Sequence, residues 1–80
     1  RSIWIHYLKI DRALTERVLF DNNIADMIRA ITDFSHAKRV KIIAEGVEEK
    51  DQIEKLMSLG VDYLQGYYLG MPSKDIIQAL

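Results

Sequence analysis

Short continuous runs of apolar residues alternate along this chain with stretches in which apolar residues recur at helical spacing. The first run, Ile3 to Ile10, is rich in β-branched and aromatic side chains and is closed by Asp11. It predicts a strand over Tyr7–Ile10, followed by a short helix over Arg12–Leu19. Asp21-Asn22-Asn23 forms a turn whose side chains suit helix capping. Ile24, Met27, Ile28, Ile31 and Phe34 or Ser35 then recur with helical period, while Arg29, Asp33 and Lys38 fall elsewhere on the wheel. This pattern predicts a helix over Asn23–Ala37. Val40–Ala44 is nearly continuous in apolar character, as in a parallel strand buried on both faces. Glu48-Glu49-Lys50-Asp51 opens the next helix, with acids near its positive end. Ile53, Leu56 and Met57 form its apolar stripe, and Gly60 stands where that helix stops. Val61–Leu64 reads as a third strand. Pro72-Ser73 predicts the start of a last helix, capped by Ser73, with Ile76, Ile77 and Leu80 on its inner face.

The resulting order is β-α-β-α-β-α: three βα units of an α/β fold, with parallel strands joined by right-handed helical crossovers. Three strands alone leave two unpaired edges and incompletely covered faces. Such apolar strands are therefore expected to belong to a larger sheet or barrel, completed by further polypeptide or by a second copy of the chain.

Composition narrows the function without naming it. Eighty residues make one small domain at most, and a chain of this size buries only about 60–65% of its unfolded surface. A formal net charge of −1 gives no electrostatic case for a nucleic-acid polymer or an anionic membrane as partner. With no cysteine, disulfides and thiolate metal sites are excluded, which is compatible with a reducing compartment. No apolar run approaches the roughly 20 residues of a membrane-spanning helix. The opening Arg1 to His6 lacks the apolar core of a signal peptide and reads as a strand approach or a cut end.

The chemistry-bearing residues stand where the predicted strands end. Lys9 and Asp11 are two apart, so on a strand they point to one side, either as a functional pair or as a structural ion pair. Glu45 opens the loop after the second strand, where an acid is costly for a core and useful for a site. Gly46 beside it suits a tight turn or close backbone approach. Glu48 is explained equally well by the first turn of a helix. Carboxylates at a strand end suit hard, oxygen-preferring cations such as Mg²⁺ or Mn²⁺. Gln65, before Gly66, can both donate and accept hydrogen bonds, which suits a nucleobase edge or a phosphate oxygen. Tyr67 and Tyr68 either stack on a base or pack. His6 and His36 lack metal-ligand spacing and read as structural or exposed, and Trp4 reads as a packing residue. There is no glycine-rich phosphate loop of the common patterns, and no Ser stands in a nucleophile context.

Three segments taken together resemble a known family. Leu8-Lys9-Ile10-Asp11, Ile43-Ala44-Glu45-Gly46-Val47-Glu48 and Asp62-Tyr63-Leu64-Gln65-Gly66-Tyr67, followed by Pro72, are similar to the last third of an EAL domain. EAL domains are bacterial phosphodiesterases that cleave cyclic di-GMP. The resemblance runs through residues 1–80 and implies a partial EAL domain: the last three strands and helices of a modified (β/α)8 TIM-like barrel, with its site at the C-terminal rim of the strands. It implies metal-dependent hydrolysis of cyclic di-GMP to linear pGpG in the complete domain, with two Mg²⁺ or Mn²⁺ ions. Lys9 would hold the attacking water and the scissile phosphate. Glu45 would bind or orient water at the metal centre as a candidate general base, and Asp11 would belong to the polar network around the metals. Glu48 and Gln65 would serve the substrate pocket. The Glu-Ala-Leu motif, the metal-binding Asn and Glu of the middle strands and the Asp-Asp-Phe-Gly loop do not occur in these residues. The isolated chain is therefore expected to be inactive. The alternative is a non-catalytic receptor or protein-interaction scaffold. Implied partners are cyclic di-GMP, the rest of the barrel, GGDEF or sensor domains and a second copy; the implied compartment is the cytoplasm, with membrane anchoring of the parent left open.

Overall fold

A computed structural model describes residues 6–66 and, for the backbone, 75–78. The elements run β1 (His6–Ile10), α1 (Arg12–Thr15), α2 (Asn22–Ala37), β2 (Val40–Glu45), α3 (Lys50–Ser58), β3 (Tyr63–Gly66) and β4 (Asp75–Gln78). They form one sheet in the order β1-β2-β3-β4. As the sequence pattern implies, β1, β2 and β3 are parallel, with Ile10 opposite Ala44 and Ala44 opposite Leu64. The strand ends that carry the candidate chemistry thus lie side by side.

Local chemistry sets the boundaries. Asp21 caps α2 by accepting from the Asn23 and Ile24 N–H groups at 3.0 and 3.3 Å, two donors that the first turn leaves without helical partners. Its other oxygen accepts from Arg17 at 2.8 Å. That hydrogen bond is the chief reason the Asp21 carboxyl sits below the usual carboxylate range, with the capping bonds adding to it. Asp11, just past the end of β1, caps α1, its carboxylate accepting from the Ala13 N–H at 2.9 Å. Before α3, the Gln52 side-chain oxygen accepts from the Glu48 and Glu49 N–H groups at 2.7 and 3.0 Å. The same buried side chain donates to the Thr15 carbonyl at 3.5 Å, tying the β2–α3 loop to the end of α1.

The core lies on one face of the sheet. Ile10, Ile42, Ala44 and Leu64 point from alternate strand positions toward Val18, Ala25, Ile28, Val47, Leu56, Leu59 and Val61. Fully burying a side chain of the Leu, Ile or Val type stabilises by about 1.5–3 kcal/mol, and Ile28, Ile42, Leu56 and Leu64 are essentially inaccessible. Asp62 stitches the layers together. Its carboxylate accepts from the Ile42 N–H at 2.8 Å and lies 2.6 Å from His36 Nε2. His36 is thereby a structural residue, one of the two readings its isolation in the sequence allows.

Four expectations are corrected. The last helix is a strand where it is described: residues 75–78 pair antiparallel with β3, Ile77 opposite Leu64 and Ile76 opposite Gln65. The free edge of β3 offers a row of backbone partners, and adjacent β-branched Ile76 and Ile77 suit an extended pairing. The cap proposed for Ser73, and Trp4, Tyr67, Tyr68, Pro72 and Leu80, lie outside the described residues. β3 begins two residues later than its apolar run, because Asp62 is held at Ile42 as a hinge before the strand, its N–H donating to the Ile42 carbonyl at 3.1 Å. The helix over Arg12–Leu19 is a single turn followed by hydrogen-bonded turns. On α2, Ile28 and Ser35 are buried and Ile24 and Ile31 pack against the core as the pattern implies, but Met27 and Phe34 are exposed, and Ala25 and Thr32 complete the buried side. Small residues let α2 approach the strands closely, and bulky Phe34 lies outside with Lys38 Nζ 5.8 Å from its ring centroid.

Candidate active site

The face of the sheet turned away from the core carries the alternate strand positions: Tyr7 and Lys9 of β1, Lys41, Ile43 and Glu45 of β2, Tyr63 and Gln65 of β3. The register aligns Lys9 with Ile43 and Ile43 with Tyr63, and one step further along, Glu45 with Gln65. Tyr7 and Tyr63 meet across β2 with ring centroids 5.8 Å apart and planes tilted by 56°. Toward the C-terminal ends of the strands, the aromatic pair gives way to charge.

There Lys9 Nζ lies 3.4 Å from Glu45 Oε2, a diagonal pair across the β1–β2 ladder. Glu45 is the last residue of β2 rather than the first of its loop, so its orientation is fixed by the strand. Gln65 beside it has a side-chain oxygen that is shielded from solvent and accepts no hydrogen bond among the described residues. A buried acceptor left unmade costs about 1–3 kcal/mol, which a ligand donor would recover.

The loop after Glu45 is shaped by glycines. Gly46 has φ +77°, a conformation that L side chains rarely adopt. A Cβ placed on it would come within 2.7 Å of the Arg12 Cβ and Cγ. A Cβ on Gly66 would run into the backbone of Val47, whose N–H donates to the Gln65 carbonyl at 3.0 Å. The loop therefore rests directly on the end of β3. The result is a pocket of about 300 Å³ lined by Arg12, Glu45, Gly46, Gln65 and Gly66.

Of the residues the sequence singles out, the fold brings Lys9, Glu45 and Gln65 together. The Asp11 carboxylate is engaged as the cap of α1. Glu48 is exposed beyond the pocket lining, held through its backbone by Gln52. Arg12 and Gln52 are two residues that sequence reasoning passed over. Gln52 was legible as the third residue after Glu49 at a helix start, the spacing of a capping box. Arg12 gives only the signal of directly following a polar strand end. The donor set does not fit a metal centre by itself. Among the described residues, no three His, Asp or Glu side chains converge closely enough to hold an ion. Glu45 supplies one carboxylate, already facing the Lys9 ammonium.

Polar ends of three parallel strands gathered at one rim are the arrangement of a barrel enzyme's site, and comparison with known proteins gives it a family. Residues 1–72 match the EAL domain. This chain belongs to the EAL domain family. Among its relatives is the probable cyclic di-GMP phosphodiesterase PdeA of Escherichia coli K12, 40% identical over 65 residues that make up 81% of this chain and 9% of that protein. The bifunctional diguanylate cyclase/cyclic di-GMP phosphodiesterase MucR of Pseudomonas aeruginosa is 42% identical over 75 residues, 91% of this chain and 11% of that protein. The solved PaMucR phosphodiesterase in complex with c-di-GMP superposes with a TM-score of 0.73 at 35% identity, covering 86% of this chain and 27% of that one. The chain thus spans about a tenth of the length of the curated relatives it matches. The α/β architecture with parallel strands is that of EAL domains. Among the described residues, no helix is long and apolar enough to cross a membrane.

Proposed function

We propose that these residues are the last three strands of an EAL barrel whose complete form hydrolyses cyclic di-GMP to linear pGpG. The observation that carries this reading is the meeting of Lys9, Glu45 and Gln65 at the C-terminal ends of parallel strands, in a chain of the EAL family. Glu45 accepts a proton from, or orients, the water that attacks phosphorus in line. Lys9 holds the Glu45 carboxylate and presents its ammonium to the phosphate that gains charge. The bond from phosphorus to the ribose 3′ oxygen breaks, and that oxygen leaves with a proton. Gln65 takes donors of the dinucleotide on its unpartnered oxygen. The family's Mg²⁺ or Mn²⁺ chemistry needs carboxylate and amide ligands beyond those gathered by the described residues, which do not complete a metal site by themselves. Asp11 and Glu48 support the rim, through the β1 terminus and the β2–α3 loop respectively.

The test is turnover of cyclic di-GMP by the full-length protein with Mg²⁺ or Mn²⁺, read as pGpG formed. Activity that is lost in Glu45→Gln and on chelation supports the reading. Tight binding with no turnover would make the protein a cyclic di-GMP receptor instead, and neither binding nor turnover would leave only a scaffold.

A further inference from the structure

We infer that Arg12 is a substrate-binding residue of this pocket, its guanidinium holding a non-bridging phosphate oxygen of the cyclic dinucleotide. This rests on the proposed function above. Arg12 lines the same pocket as Glu45 and Gln65, and the fold places it there through a specific packing contact. A Cβ on Gly46 would lie 2.7 Å from the Arg12 Cβ and Cγ and 3.0 Å from its Nε. The arginine stem is therefore laid across a residue with no side chain, and its charged end is carried over the backbone that follows Glu45. An apolar stem packed on backbone with a polar head in water is how long cationic side chains are ordered without a salt bridge.

The usual structural employment of such a side chain is an ion pair, and among the described residues Arg12 makes none. The nearby Glu45 carboxylate faces Lys9, and the Asp11 carboxylate faces the Ala13 N–H. The planar fork of five donors is left available for an anion, for which guanidinium is well matched. Of the pocket's two other polar side chains, the Glu45 carboxylate is offset by the Lys9 ammonium, and Gln65 has the opposite need to Arg12. The shielded Gln65 oxygen can only accept, so it repels phosphate and suits the N–H groups of a guanine edge. A ligand that carries both acceptor oxygens and base N–H donors, as a guanine nucleotide does, satisfies both groups at once with its phosphate on Arg12.

The experiment is equilibrium binding of cyclic di-GMP to the full-length protein, comparing wild type, Arg12→Ala and Arg12→Lys at low and high salt. Arg12→Ala is expected to weaken binding by about tenfold to a hundredfold, the range of a lost charge-assisted hydrogen bond. Its affinity should also fall less with salt than that of wild type, because one screened contact is gone. Arg12→Lys, which keeps the charge and loses the fork, should fall between the two. The thermal midpoint should not move, since Arg12 is exposed and unpaired among the described residues. Unchanged affinity in Arg12→Ala overturns the inference while leaving the proposed function standing. So does weakened binding with an unchanged salt dependence, which would take the guanidinium off the phosphate. Wild-type protein that fails to bind cyclic di-GMP sinks the proposed function itself.

Discussion

The two faces of this sheet are built from the same strands and obey opposite rules. On the helix face, Ile10, Ile42, Ala44 and Leu64 pack against α2, α3 and the loops between them, a layer that is mainly apolar and also buries the side chains of Thr32, Ser35 and Gln52. On the other face, at the strand positions adjacent to Ile10, Ala44 and Leu64, stand Lys9, Glu45 and Gln65, partly or largely exposed, with one acceptor lacking any partner among the described residues. Each side has one buried oxygen without a partner among the described residues, Thr32 Oγ1 in the helix layer and Gln65 Oε1 at the rim, and of the two it is Gln65 that lines the pocket. An unpartnered polar group beside a pocket is one that a ligand can satisfy, whereas one inside the core is not, so the contrast separates the packed side of the sheet from the side open to a ligand.

Substitutions on the two faces should break the comparison if it is wrong. The largest effect is expected for Glu45→Gln in the full-length protein: turnover of cyclic di-GMP falls by about a hundredfold to ten-thousandfold, the usual worth of a general base. Its unfolding midpoint in urea should barely move, because a partly exposed ion pair contributes about 0–1 kcal/mol. A large loss of stability in this variant would make the Lys9–Glu45 pair structural. Leu64→Ala, next to Gln65, should do the reverse and cost about 2–5 kcal/mol in the same urea titration, as for a buried leucine. A cost below 1 kcal/mol would show that the helix face is not the core.

Gln52→Ala tests the joint between the faces. It strands the Glu48 and Glu49 N–H groups and the Thr15 carbonyl, and should destabilise by about 1–3 kcal/mol. Catalytic loss well beyond that caused by Leu64→Ala would mean that the loop it holds matters more for the site than for the fold. The smallest effect concerns pH. The Asp21 carboxyl is lowered chiefly by Arg17, so the folded state binds fewer protons than the unfolded one. The stabilisation is complete above the ordinary aspartate value of about 4 and is lost as pH falls through the lower folded value. Helical circular dichroism should therefore resist acid less well in Arg17→Ala than in wild type; superimposable acid limbs would remove Arg17 from the account.

Much of this contrast could be read before any coordinates. The apolar run at Val40–Ala44 and the acids after it located β2 and Glu45, because a doubly covered strand and a charged strand end are both visible in one dimension. Gln65 was legible for the same reason. The inner side of α2 was legible at Ile24, Ile28, Ile31 and, as one of two alternatives, Ser35, but not at Ala25 and Thr32, because a hydrophobic pattern is blind to small residues that permit close approach. Residues 75–78 were misread because two adjacent isoleucines fit a helix or a strand equally, and only the open edge of β3 decides between them. Asp62 looked like part of a strand, yet its carboxylate serves the backbone of another strand and a helix histidine. Arg12 gave no more than its place after a polar strand end, since it lies against Gly46, far away in sequence.

The contact of Gly66 with the Val47 backbone also sets a timetable. The loop carrying Glu45 finds its seat only against residues made about twenty positions later, through the Val47 N–H and the Gln65 carbonyl. As the nascent chain leaves the ribosome, Lys9 and Glu45 emerge with the first two strands, but the floor of their pocket is still unsynthesised or inside the tunnel. A nascent chain that has exposed β1 and β2 but not yet Gln65 and Gly66 therefore carries Glu45 without the neighbours that seat its loop.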